Sequence, residues 1–355
     1  MQILSDTDLD VRSKKINPGS YEWWYFDAVS SDEVYSIVVI FYDGNPFSRR
    51  YLDALQNDKY PLAEQYPAIS LSVYRDGKPV FYSFEEVKPG EADFSARKPE
   101  GHVKKNTFQR EIAGQKLCYR LSLDQTVPNG DQLKGELVFE SILNPIQIQK
   151  SQNTRDQGHR WNLVQPQAKV QGTLQIRGFK EETISFSGLG YHDHNTGNEP
   201  LRDSFEDWYW GRLHFGDRTL IYYLMNENDE YHSNGWIIGP GGEILFLDDG
   251  IETDDFSVNL FGLKSARKIE KKHGDIRFLI QKNSIIDDGP FYQRFFSRLM
   301  LQMDDSIYQG SGISEYISPA RIHNKLFRPL VNMRIQYPDQ EHWVQKSPRL
   351  YRWTW

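Results

Sequence analysis

Cysteine is all but missing. The 355-residue chain has one, Cys118, which excludes an internal disulfide framework and a cysteine zinc site. Long apolar runs are missing too, since no window approaches the roughly 18 uninterrupted apolar residues of a spanning helix. The first ten residues hold three Asp and no apolar stretch, unlike a signal peptide or an anchor, so a cytoplasmic protein is expected. Charge is mild, at −7 over 41.6 kDa, with no clustered basic face for nucleic acid. No strongly basic amphipathic stretch marks a membrane-surface helix, which leaves only transient, peripheral contact with a membrane in play. No glycine-rich phosphate loop precedes a helix and no Gly-x-Ser-x-Gly elbow occurs. These absences weigh against kinases, nicotinamide enzymes and α/β hydrolases. No short fixed-period repeat is present, so the chain is neither a propeller nor a solenoid.

What is abundant is aromatic. Phe, Trp and Tyr make up 14% of the chain, with nine Trp. Strands accept flat side chains readily, so a β-rich core explains part of this; a ligand cavity panelled with rings explains the rest. Short alternating runs bounded by turn residues recur from end to end. Tyr35 to Phe41 breaks at Asp43-Gly44-Asn45-Pro46. Ile69 to Tyr74 and Pro79 to Phe84 flank an Asp76-Gly77 turn and read as a hairpin. Leu117 to Leu123, Gly135 to Leu143, Val170 to Ile176 and the pair Trp236 to Ile238 and Glu243 to Leu247 continue the pattern. Helical periodicity is weak; its best candidate, Pro290 to Met303, is too evenly apolar for a 3.6 period. Many closely spaced strands predict an all-β protein of sandwiches or barrels. The polar, turn-rich stretch from Asn195 to Phe205 predicts a boundary, giving domains 1–195 and 196–355.

Three segments bring ionisable groups beside rings. In Tyr21-Glu22-Trp23-Trp24-Tyr25-Phe26-Asp27, a strand would put Glu22, Trp24 and Phe26 on one face. A carboxyl among rings is desolvated and its pKa rises, so Glu22 is expected to hold a proton that could protonate an alkene; the alternative is a strand start facing solvent. In Gly188-Leu189-Gly190-Tyr191-His192-Asp193-His194-Asn195, His192 and His194 would project together with Asp193 opposite. A metal pair would need a third ligand, and none stands at a characteristic spacing. A structural histidine pair and a proton-handling His194 both remain open. The third segment is a hairpin, Asp207 to Phe215 and Arg218 to Asn226 around Gly216-Asp217. A two-residue loop pairs Tyr223 with Trp210 and Tyr222 with Gly211, which leaves room over the glycine for a ring or a ligand.

At these segments the sequence resembles the carotenoid 1,2-hydratase (hydroxyneurosporene synthase) family and its lipocalin-like relatives, including cofactor-free polyene cyclases. The matches are Glu22-Trp23-Trp24-Tyr25-Phe26, Gly190 to Asn195 with Gly197, Pro200-Leu201, Trp208-Tyr209-Trp210-Gly211-Arg212, Tyr222-Tyr223, Pro290-Phe291-Tyr292 and Gly310-Ser311-Gly312 with Glu315-Tyr316, in that order. The resemblance implies two lipocalin-like β domains with an apolar pocket at or near their interface. It implies roles for His194 and Tyr222. It also implies that the hydratase's Trp and Asp are replaced here by Thr196 and Leu224, which puts hydration in doubt.

The expected function is a cofactor-independent, non-redox enzyme of isoprenoid or polyene metabolism. It would fold an unsaturated terpenoid-, carotenoid- or polyketide-like substrate and promote cyclisation or double-bond addition. Candidate catalytic residues are His194, Asp193, Tyr222 and Glu22; candidate substrate contacts are Trp24, Trp208, Trp210, Tyr223, Tyr191 and Asn195. No metal and no cofactor is expected. Ring faces would stabilise developing positive charge, and confinement would lower the entropic barrier. The alternatives are hydration of a terminal double bond and non-catalytic carriage of an apolar ligand.

Overall fold

A computed structural model describes the chain apart from residues 1, 58, 114–115, 143–148, 152–157, 179–180, 228–229 and 248–249. The fold is all-β and lipocalin-like, with two curled sheets. Contacts divide it into two units: Met1–Ser204 with Lys325–Trp355, and Phe205–Asn324. This differs from one cut at 195/196 for a physical reason. That position lies inside a continuous strand, Glu182–Gly197, and the C-terminal stretch returns to the first unit, where Ile335–Gln336 pairs in parallel with Phe84–Glu85. Among the described residues no helix is long and apolar enough to cross a membrane.

Among the described residues, the first unit holds a fourteen-stranded sheet centred on Tyr21–Ser30, flanked by Tyr35–Tyr42 and Glu182–Gly197. The β-branched and aromatic run at 35–42 is a strand, as its composition requires. The Asp76-Gly77 turn joins Ala68–Arg75 to Lys78–Glu86. Both turn residues have positive φ, 50° and 72°, which is the type I′ geometry that a two-residue hairpin loop favours. The expected strand from Gly135 to Leu143 is Gln132–Ser141; Leu143 lies outside the described residues. One face of the sheet carries Trp24, Phe26, Val39, Phe41, Leu121 and Phe139 into a single hydrophobic core.

The ladder slips beside the histidines. Strand Arg160–Arg177 slips register between Leu163 and Gln165 and again before Ala168. Pro166 sits between these points and has no N–H to give the ladder. The resulting bulge lies level with His192 and Asp193 on the neighbouring strand.

Among the described residues, the second unit is a nine-stranded antiparallel sheet. Its hairpin Asp207–Phe215 and Arg218–Glu227 has the two-residue loop and the expected register, with Trp210 opposite Tyr223 and Gly211 opposite Tyr222. The stretch with the best helical case is strand Tyr292–Met303. Tyr209, Tyr222, Leu224, Phe295 and Tyr316 face that unit's core.

Candidate active site

The register of strands 21–30 and 182–197 sets His194 opposite Trp24 and His192 opposite Phe26. Opposite residues share a face, so imidazole meets ring. His194 lies flat on Trp24, centroids 4.6 Å apart and planes 10° apart, and Trp24 stacks on Phe94 with its other side. His192 stacks on Phe26 at 3.9 Å. Both imidazoles are buried in the apolar core of the first unit.

The chain's N-terminal segment supplies the charges around them. Gln2–Leu4 pairs in parallel with Arg160–Asn162. Asn162 then clamps the segment from both sides, accepting from the Asp6 backbone N–H and donating to the Asp6 carbonyl. The segment thereby delivers Asp10, Arg12 and Lys15 to the histidines. His194 Nε2 donates to Glu22 Oε1 at 2.8 Å, and His194 Nδ1 lies 3.4 Å from Asp10 Oδ1. Glu22 also accepts from the Ser13 backbone N–H and from Lys15, which reaches on to Asp43 at 2.8 Å. Arg12 pairs with Asp43 and extends to the exposed Glu64. On its other oxygen Asp10 accepts from Tyr119 and lies 3.2 Å from His192 Nε2, while His192 Nδ1 donates to the Tyr25 carbonyl.

The expectation for Glu22 is corrected by this setting. It is fully buried, so it does not face solvent. Burial does push its pKa up, but the hydrogen bond and charge of His194, with Lys15 added, outweigh that and hold the carboxyl below its usual range. Glu22 is a carboxylate, not a stored acid. Three carboxylates, Asp10, Glu22 and Asp43, face two permanent cations, Arg12 and Lys15, one of which is shared with Glu64. The carboxylates thus outnumber the permanent cations, and both histidines stand within reach of Asp10.

Two polar atoms in this neighbourhood are left over. Asp10 Oδ1 and Trp24 Nε1 are buried without a hydrogen bond among the described residues. Such atoms cost free energy, about 1–3 kcal/mol each.

The other face of the same strand carries a second network. Asp193 accepts hydrogen bonds from Trp161 Nε1 at 2.7 Å, Tyr191 Oη at 2.8 Å and Asn195 Nδ2 at 2.7 Å. Asn195 Oδ1 in turn accepts from His159 Nε2, whose Nδ1 accepts from Tyr21 Oη. Burial pushes the His159 imidazolium down to about 3, so the ring is neutral. Burial and the Asp193 charge raise the Tyr191 phenol well above its ordinary value.

The ten expected residues therefore fall into four places. Glu22, Trp24 and His194 come together on the core face of the first unit. Asp193, Tyr191 and Asn195 come together on the opposite face. Trp208, Trp210 and Tyr223 share one face of the second unit, with Glu315 and Met225 beside them in the register. Tyr222 is on the reverse face, over Gly211 and near Ser314, with its phenol raised chiefly by burial. Sequence reasoning missed Asp10, Lys15, Asp43 and Tyr119. No local pattern marks them, because tertiary pairing alone brings 10–15 against 192–194.

Known proteins resemble the chain along the same lines. A model of the carotenoid hydratase CrtC family matches residues 93–346. The chain is 28% identical to a protein named hydroxyneurosporene dehydrogenase from Chlorobaculum tepidum, covering 94% of this chain and 92% of that one. It is 22% identical to an acyclic carotenoid 1,2-hydratase from Thiocapsa roseopersicina, over 86% and 71%. It is 25% identical to the quinolone epoxide rearrangement protein asqO of Emericella nidulans, over 71% and 66%. Among solved structures, CghA with Sch210972 aligns with a TM-score of 0.59 at 12% identity, covering 89% and 98%. A putative AttH from Nitrosomonas europaea gives 0.60 at 14%, covering 84% and 92%. These two share the fold. With its family model matched over more than half its length, the chain belongs to the carotenoid hydratase CrtC family and is an enzyme of that kind.

Proposed function

We propose that this enzyme transforms an apolar polyene by proton donation from the Asp10–His194 pair, promoting cyclisation or double-bond addition with no redox step. The observation that carries the reading is His194 set 3.4 Å from Asp10 in a buried cluster with more carboxylates than permanent cations, beside the two unsatisfied atoms Asp10 Oδ1 and Trp24 Nε1. Glu22 anchors His194 through Nε2, so the proton available for transfer is one on His194 Nδ1, 3.4 Å from Asp10 Oδ1. It passes to one carbon of a C=C bond and leaves positive charge on the other carbon. Capture by a second double bond closes a ring; capture by water gives an alcohol. In either case a proton returns to the pair, and nothing is oxidised or reduced. Ring closure or rearrangement is favoured over hydration by the quinolone epoxide rearrangement proteins among the relatives. A substrate this apolar partitions into lipid, so the enzyme, cytoplasmic in this proposal, touches a membrane surface briefly to load.

Incubation with acyclic polyenes in oxygen-18 water tests the reading. Ring closure gives product without label, and hydration gives product carrying one labelled oxygen. Product formation that persists at the wild-type rate in both His194→Gln and Asp10→Asn overturns the assignment of the proton.

A further inference from the structure

The nine-stranded unit buries an amine that the chemistry above does not use. Lys282 lies in strand Arg277–Asp288 and is 6% exposed. Its Nζ has no hydrogen-bond partner among the described residues. Rings surround it instead: the Phe295 centroid is 4.1 Å away, that of Tyr209 4.5 Å and that of Tyr316 5.9 Å. All three belong to the core of this unit. Directly across the ladder stands Ser297, and across from Ser297 stands Gly312. The row beside the amine is thus made of short side chains. Ser297 Oγ is also buried without a hydrogen bond among the described residues.

A lysine kept in a core for packing alone would run its stem along apolar surface and carry its head to water. Lys282 does the reverse. A lysine kept for structure would be paired with an acid, as Lys15 is with Glu22 and Asp43; Lys282 has rings. Their faces favour a cation, but loss of water disfavours it more, and the amine is pushed well below its ordinary value. A neutral lysine amine is a nucleophile, and its usual electrophile is a carbonyl carbon.

We propose that Lys282 is a covalent binding site for an aldehyde or ketone borne on an apolar chain, held as a Schiff base in the core of the second unit. The Nζ lone pair adds to the carbonyl carbon. The nitrogen loses its protons and the former carbonyl oxygen leaves as water, forming C=N with no change of oxidation state. The three ring faces that surround the amine also stabilise the iminium form of the product. Lys282 plays this part whatever role Asp10 and His194 have.

Decanal is a suitable probe, being apolar, saturated and free of conjugate addition. The full chain is incubated with it near neutral pH, reduced with borohydride to fix any imine, digested and mapped by mass spectrometry. The expected result is a single modification at Lys282, half-saturating at a decanal concentration at least tenfold below that of any surface lysine. Mapping on the wild-type chain needs no variant to fold. Lys282→Arg, which keeps a long cationic side chain without a nucleophilic amine, is expected to lose the low-concentration adduct. Modification spread evenly over surface lysines, or an adduct of equal yield in Lys282→Arg, overturns the proposal.

Discussion

Each unit buries a lysine, but by opposite means. In the first, Lys15, Arg12, Asp10, Glu22, Asp43 and two histidines compensate one another within a few ångströms. In the second, Lys282 stands among three rings with no acid paired to it among the described residues. A paired cluster holds charge and can lend a proton. An unpaired amine sheds charge and becomes reactive at nitrogen. Low dielectric produces both behaviours; the presence or absence of a partner selects between them.

The contrast is tested hardest at His194. His194→Gln keeps a hydrogen bond to Glu22 but cannot carry the mobile proton, so turnover should fall by about 10²–10⁴-fold with the fold intact, read as kcat beside circular dichroism. Lys15→Met comes next. It leaves Glu22 and Asp43 buried without their shared cation, and urea unfolding should show a loss of about 3–5 kcal/mol. Lys282→Met should go the other way, neutral or stabilising by about 1–4 kcal/mol, since no partner is stranded. If both lysine variants shift stability in the same direction by the same amount, the contrast between the units is wrong.

A smaller effect is expected at Gly211→Ala. A Cβ there would stand 2.4 Å from a Tyr222 ring carbon and 2.8 Å from Ser314 Oγ, and overpacking of this kind costs about 1–3 kcal/mol. Differential scanning calorimetry should show it. The smallest effect is the pH dependence of Glu22. Its folded pKa lies below the ordinary 4.5, so its contribution to stability is whole above that value. The contribution is lost as pH falls through the folded value. Glu22→Gln should flatten the acid limb of the stability curve; an unchanged limb would mean that Glu22 carries no paired charge.

Much of the architecture was legible because strands announce themselves locally. The Asp76-Gly77 turn, the run at 35–42 and the two-residue loop at 216–217 each follow from short-range chemistry, and the hairpin register followed from the loop length. The shared face of His192 and His194 followed from the two-residue period of a strand. The partners did not. Asp10 meets His194 through a parallel pairing far away in sequence, and nothing in the composition of the first ten residues distinguishes an acid bound for the core from one left in solvent. The Glu22 expectation failed for the same reason: rings were visible beside it in sequence, whereas Lys15 and His194 were not visible as neighbours.

The return of residues 325–355 to the first unit has a consequence for how the molecule is made. The Lys78–Glu86 strand keeps one edge open until Ile335 and Gln336 arrive, and Asp131 awaits the two-pronged grip of Arg352. A nascent chain must therefore finish the whole of 205–324 before its N-terminal sheet can close, and an open strand edge invites association with other chains. The second unit is an insertion in the first, and residues 325–355 are the clasp. The edge at Lys78–Glu86 is therefore covered only once residues 335–336 have been made, and not when residues 1–204 are complete.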